Sequence, residues 1–230
     1  TSSNEGRFKM SNFDANIITQ IFRDERLKFS GLIFGELWIG YENNDFNMDA
    51  DISLKKGTYM NEKFDEMTLS CLYKNGILSI DDISMARKGK MGLQASGIIP
   101  ILKSNIKKPL ISLNTNFSNL SLEFIHRFIP KFYKLSGYST GNLNLTGTMN
   151  STKFTYDLNV SDAGFDLIKL GKFSSRGEYD GNYLNVQYAN SENLDGFIIS
   201  SGAIPFDLNL GSSKFGKLHE NQEIDLSLIH

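Results

Sequence analysis

The feature that most constrains this chain is that it repeats itself. "SGIIPI" at Ser96 to Ile101 returns as "SGAIPF" at Ser201 to Phe206, in a chain that has only four prolines. Gly31 and Gly137, Gly35 and Gly141, Tyr73 and Tyr179, and Leu78 and Leu184 stand 106 residues apart, and Pro100 and Pro205 stand 105 apart. One residue deleted between Leu184 and Pro205 accounts for the difference. Upstream, "SNFDANIITQIF" from Ser11 pairs with "SNLSLEFIHRFI" from Ser118, and "KFSG" ending at Gly31 pairs with "KLSG" ending at Gly137. The duplicated unit of about 105 residues spans 7–110 and again 111–217, and 218–230 reads as the start of a third. Self-similarity at a fixed period is the mark of an array whose units stack, so a longer parent array is expected.

Within each unit the local signal is period-two alternation, which places successive side chains on opposite faces of a strand. Phe46, Met48, Ala50, Ile52 and Leu54 alternate with Asn47, Asp49, Asp51, Ser53 and Lys55. Phe154, Tyr156, Leu158 and Val160 alternate with Thr155, Asp157, Asn159 and Ser161, and Leu143 and Leu145 alternate with Asn142 and Asn144. One face is apolar and the other wet, the pattern of an antiparallel sheet. "KNG" at Lys74 to Gly76 and "YDGN" at Tyr179 to Asn182 predict hairpins. "KKG" at Lys55 to Gly57 and "SDAG" at Ser161 to Gly164 predict further turns. Proline in the repeated "SG-x-IP" suits a strand end, an edge or a bulge.

Each unit also carries one helical pattern. Phe13, Ile17 and Ile21, with Ile18 and Phe22, follow a candidate N-cap at Asn12 or Asp14. Leu120, Phe124 and Phe128, with Ile125 and Ile129, follow Ser118 or Asn119, and Pro130 closes the segment. The fold predicted is all-β with short helices: an elongated, mostly antiparallel sheet curved into a hydrophobic trough.

Chemistry-bearing motifs are scarce. Twenty-four Lys and Arg against 26 Asp and Glu give a formal charge of −2, without the basic field that nucleic acid requires. The lone Cys71 forms no intramolecular disulfide and reads as a small apolar strand residue. His126, His219 and His230 lack partners at metal-ligand spacing, and Asp81 and Asp82 read as a solvated turn. No nucleophile elbow, P-loop or dinucleotide fingerprint is present. The expectation is a non-enzymatic protein with no cofactor and no metal.

The stretch "LSGYSTGNLNLTGTMNSTKFTYDLNVSDAGFDLIKLGKFSSRGEYDGNYLNV", followed by "DGFIISSGAIPFDL", resembles the C-terminal repeat region of the TamB family, among the AsmA-like proteins. The shared pattern is "SG-x-x-x-G-x-L-x-L-x-GT", a strand, "DG-x-x-L" and "SG-x-IP". The first unit departs from it, with Gly40 followed by Tyr41 where the pattern has "GT". The resemblance implies a β-taco in the periplasm of a diderm bacterium, whose parent protein is anchored in the inner membrane by a segment outside this stretch. It further implies phospholipid transport toward the outer membrane, or assembly of outer-membrane proteins with an Omp85-type barrel partner.

The residues expected to line the groove are Phe46, Met48, Ile52 and Leu54 in the first unit, and Leu143, Leu145, Phe154, Tyr156, Leu158 and Val160 in the second. Burying a methylene stabilises by roughly 0.8 kcal/mol, so shielding half of a sixteen-carbon acyl chain offsets about 6 kcal/mol of its exposure to water. The attraction is non-directional, so such a chain could slide. Two other readings remain open: a scaffold that offers its sheet edge or apolar face to an unfolded barrel strand, and a closed structural sandwich.

Overall fold

The computed structural model describes residues 4–17, 20, 29–42, 45–59, 62–101, 110–123, 135–193, 196–219 and 222–229. Contacts divide the chain into two compact units, Thr1–Pro109 and Leu110–His230. The protein is all-β and its sheet is antiparallel, open and not closed into a barrel. In the first unit β1 (Asn4–Asp14), β2 (Phe29–Glu42), β3 (Asp45–Tyr59), β4 (Glu62–Lys74), β5 (Ile77–Arg87) and β6 (Met91–Pro100) pair in chain order. In the second, β7 (Ile111–Ser121), β8 (Leu135–Thr148), β9 (Ser151–Phe165), β10 (Ile168–Tyr179), β11 (Leu184–Asn193) and β12 (Gly196–Ile204) do the same. There the chain makes a small ribbon from β13 (Phe206–Asp207) and β14 (Lys217–Leu218), then returns as β15 (Asp225–Ile229) to pair with β12.

The register repeats as the sequence does. Gly35 faces Ile52 and Gly141 faces Leu158; Met48 faces Tyr73 and Phe154 faces Tyr179; Leu78 faces Ile99 and Leu184 faces Ile204. The hairpin at Asn75 and Gly76 has φ of 53° and 77°, the conformation those residues tolerate in a two-residue turn. The longer loop after Tyr179 is closed by Asp180, whose carboxylate accepts the backbone N–H groups of Asn182 and Tyr183. Pro100 ends β6 and Pro205 directly follows β12, where a missing N–H costs the ladder nothing.

Three sequence expectations are corrected. The segments Lys55 to Gly57 and Ser161 to Gly164 are not turns; they lie inside the fifteen-residue strands β3 and β9. Lys56 and Asp162 each take φ of 52° there, and turn-type residues serve irregularities that keep the strand running. Asp81 and Asp82 likewise sit in β5, at the register shift between Ile80 and Ile83; Asp82 accepts bonds from Thr68 and Gln94. Finally, Phe13 and Leu120 are strand residues just past register shifts, with Asn12 and Asn119 at φ of 63° and 51°. Asp14, not Asn12, caps the short helical turn at Asn16 and Ile17, accepting the Asn16 N–H at 2.9 Å. Ser118 and Asn119 belong to β7, and the Asn119 N–H donates to Thr140 Oγ1 at 3.0 Å. Phe22, Phe124, Ile125, Phe128, Ile129 and Pro130, with Ile18 and Ile21, lie outside the described residues.

Candidate functional site

The ladders align apolar side chains into rows that cross the strands on one face. In the first unit one row is Ile33, Leu54, Met67, Met85 and Leu93; the next but one is Leu37, Ala50, Cys71, Ile80 and Gly97. In the second unit the equivalent rows are Ser139, Val160, Phe173, Ser191 and Ile198, and Leu143, Tyr156, Gly177, Val186 and Gly202. The opposite face carries Asp49, Asp51 and Thr68 in one unit and Asn144, Thr155 and Asp157 in the other. Among the described residues, extensive contacts join only ladder neighbours, and the one sheet besides the main one is the β13–β14 ribbon. Ile33, Ala50, Ile80, Met85 and Val160 are nevertheless buried.

Nine of the ten lining residues expected from sequence are at least half sheltered on this face. Leu54 and Val160 are buried, and Met48, Ile52, Leu143, Leu145, Phe154, Tyr156 and Leu158 are half-buried. Phe46 is the exception at 43% exposed; it lies at the start of β3 and touches Tyr73 at a centroid distance of 5.7 Å. Its wet-face neighbour Asn47 is instead 7% exposed, across the ladder from Gly40, over which the Trp38 ring lies. Alternation alone does not register this inversion, because an indole lying along its own strand shelters the neighbouring polar position.

The polar faces are not featureless. A concavity of about 450 Å³ in the second unit is lined by Tyr138, Thr140, Asn159, Lys172, Asn190 and Glu192 among others. One of about 490 Å³ in the first unit lies among Arg7, Glu36, Trp38, Asp49, Asp51 and Leu72. Arg7 pairs with Glu36, which holds that carboxyl below the usual range.

No family model matches the chain. No curated protein and no solved structure matches it either. The site is therefore read from its own geometry.

That geometry includes a strap that sequence reasoning missed. Residues 205–218 cross one margin of the second apolar face, where Tyr179, 1% exposed, accepts the Leu208 N–H at 3.0 Å and the Asn209 side-chain amide at 3.3 Å. Asn209 in turn accepts the Thr152 N–H at 2.9 Å, and Gly211 donates to the Met149 carbonyl at 2.6 Å. The one available signal was the recurrence of Tyr73 as Tyr179 at a fixed place before the hairpin.

The two faces differ in chemistry. Burial raises the Cys71 thiol pKa, with Asp49 and Asp81 adding to the effect, so the first face keeps a neutral thiol among methionines and aliphatics. In the second, the Tyr156 hydroxyl lies 3.1 Å from Ser175 Oγ. Burial raises its pKa, and the bond to Ser175 opposes the rise. None of these groups is arranged as a nucleophile with its base; what the face can do is exclude water from an apolar chain.

Proposed function

We propose that the apolar face of each unit is an open groove that shields phospholipid acyl chains, in a periplasmic segment of a TamB-like bridge between inner and outer membranes. One observation carries the reading: in both units the central strands align apolar residues into rows on one face with polar residues opposite, and besides the main sheet the described residues form only the small β13–β14 ribbon. An apolar surface repeated in register suits an apolar occupant, and an acyl chain matches its lack of directionality and its indifference to side-chain identity. A photoreactive amino acid at Phe154 or Leu158 should capture phospholipid in cells, whereas one at Thr155 should not. Equal capture at the two faces overturns the reading.

A second reading, a scaffold for outer-membrane proteins working with an Omp85-type barrel, is favoured by the exposure of Phe197, Ile199 and Ile229 on the otherwise polar face of β12 and β15. Capture of nascent barrel strands at these residues, with no lipid at Leu158, would select it.

A further inference from the structure

The repeat supplies its own control, because each position on one apolar face has a counterpart on the other. Ala50, Leu69 and Cys71 correspond to Tyr156, Ser175 and Gly177, each 106 residues on. A small, a large and a small residue are replaced by a large and two small ones, a change that moves volume from one strand to its neighbour and leaves the packing filled. The three act together. Tyr156 pairs with Gly177, and its ring occupies the place of the missing side chain: a Cβ at Gly177 would stand 2.8 Å from the phenolic oxygen. Ser175 meets the hydroxyl that the ring brings.

What the triple exchange adds is directional hydrogen bonding. Ser175 Oγ lies 3.2 Å from the Tyr188 carbonyl, which can only accept, so Ser175 donates its proton there. Tyr156 must then donate to Ser175. Two further serines on this face are committed in the same way: Ser139 donates to the Leu120 carbonyl at 2.9 Å and Ser191 to the Leu170 carbonyl at 2.7 Å. With their protons engaged, these hydroxyls have only acceptor lone pairs left, and Tyr156 holds its oxygen in the middle row of the face. The first unit has Ile33, Ala50, Leu69 and Met85 at the equivalent places and offers no hydrogen bond at any of them.

We propose that the second unit selects acyl chains that carry a hydroxyl group, with Tyr156 as the residue that reads it, while the first unit takes acyl chains without discrimination. The inference rests on the groove reading above and gives the two units different cargo chemistry. A plain alkyl chain laid over Tyr156 strips water from an acceptor and returns nothing. A hydroxylated chain donates to it, and one net hydrogen bond is worth about a fivefold difference in affinity.

The test uses the whole chain and a diazirine-bearing hexadecanoate, with adducts mapped to each unit by mass spectrometry. Competition by 3-hydroxyhexadecanoate at second-unit adducts should need about fivefold less acid than competition by hexadecanoate, and 3-methoxyhexadecanoate, which cannot donate, should show no such advantage. At first-unit adducts the three acids should compete equally. Tyr156→Phe keeps the ring and should bring 3-hydroxyhexadecanoate and hexadecanoate to equal competition at second-unit adducts; the ratio is read within the variant, so a general change in capture does not imitate the effect. Equal competition by the hydroxy acid and hexadecanoate in the wild type, a methoxy acid as effective as the hydroxy acid, or a preference that survives in Tyr156→Phe overturns the inference and leaves the groove standing. Absence of adducts in both units overturns the groove as well.

Discussion

Phe154 and Tyr179 face each other across the β9–β10 ladder with ring centroids 5.3 Å apart and planes within 26°, and the Tyr179 hydroxyl holds the strap through the Leu208 N–H. One residue thus packs against the apolar face through its ring and fastens a cover over that margin through its oxygen. Burial raises the Tyr179 pKa, against the Leu208 bond and with Asp207 and Asp180 adding to the rise, so the phenol stays neutral.

Tyr179→Phe preserves the stack and removes the acceptor. The buried Leu208 N–H loses its partner, at a cost of about 1–3 kcal/mol. Urea unfolding should show that loss, and limited proteolysis should cut first within 205–218. An unchanged urea midpoint would mean that the strap is held by other contacts.

The irregularity at Lys56 predicts an unusual gain. With φ of 52°, a lysine occupies the left-handed region that glycine enters freely and β-branched residues avoid. Lys56→Gly should raise stability by up to about 1 kcal/mol, and Lys56→Val should lower it by about 1–2 kcal/mol. Thermal denaturation of the pair should move the midpoint in opposite directions; a shift in the same direction contradicts the assignment.

A charge in the groove should separate the faces. Leu158→Asp places a carboxylate on the half-buried apolar face and should cut lipid capture at neighbouring positions at least about tenfold, whereas Asn159→Asp, on the exposed face, should leave it within about twofold. Photocrosslinking at Phe154 reads both variants. Equal loss would show that overall charge, not the face, matters.

Acid should loosen the strap. Desolvation, the largest influence on Asp207, acts to raise its pKa, but bonds from Ser212 and Asn209 and the charge of His219 outweigh it and hold the carboxyl below the usual range. Asp180 is likewise held low, its bonds from Tyr183, Asn182 and Asn185 outweighing desolvation. A depressed folded pKa contributes stability that is present above the unfolded value of about 3.9 and is lost as pH falls through the folded value. Unfolding free energy should therefore drop between pH 5 and pH 3 by more in the wild type than in Asp207→Asn. Equal drops would remove Asp207 from the account.

The duplication, the strand alternation and the wet and dry faces were legible because each depends on local periodicity. Side chains two apart on a strand share a face whatever the rest of the chain does, so Met48, Ile52, Leu54, Leu143, Leu145, Phe154, Tyr156, Leu158 and Val160 could be placed from their spacing alone. Even the recurring proline declared itself, because a residue without an N–H suits only a few positions in a ladder.

Tertiary structure decided what periodicity leaves open. "KKG" and "SDAG" carry the same residue types that close hairpins, and only the partner strands running past them on both sides make them irregularities within β3 and β9. Asn47 was sheltered by the Trp38 ring, the strap came to rest on Tyr179, and Tyr156 found its place over Gly177, all through contacts between residues distant in the chain. Local pattern fixes which way a side chain points; which group it meets there depends on register and on the packing of strands that the pattern does not connect.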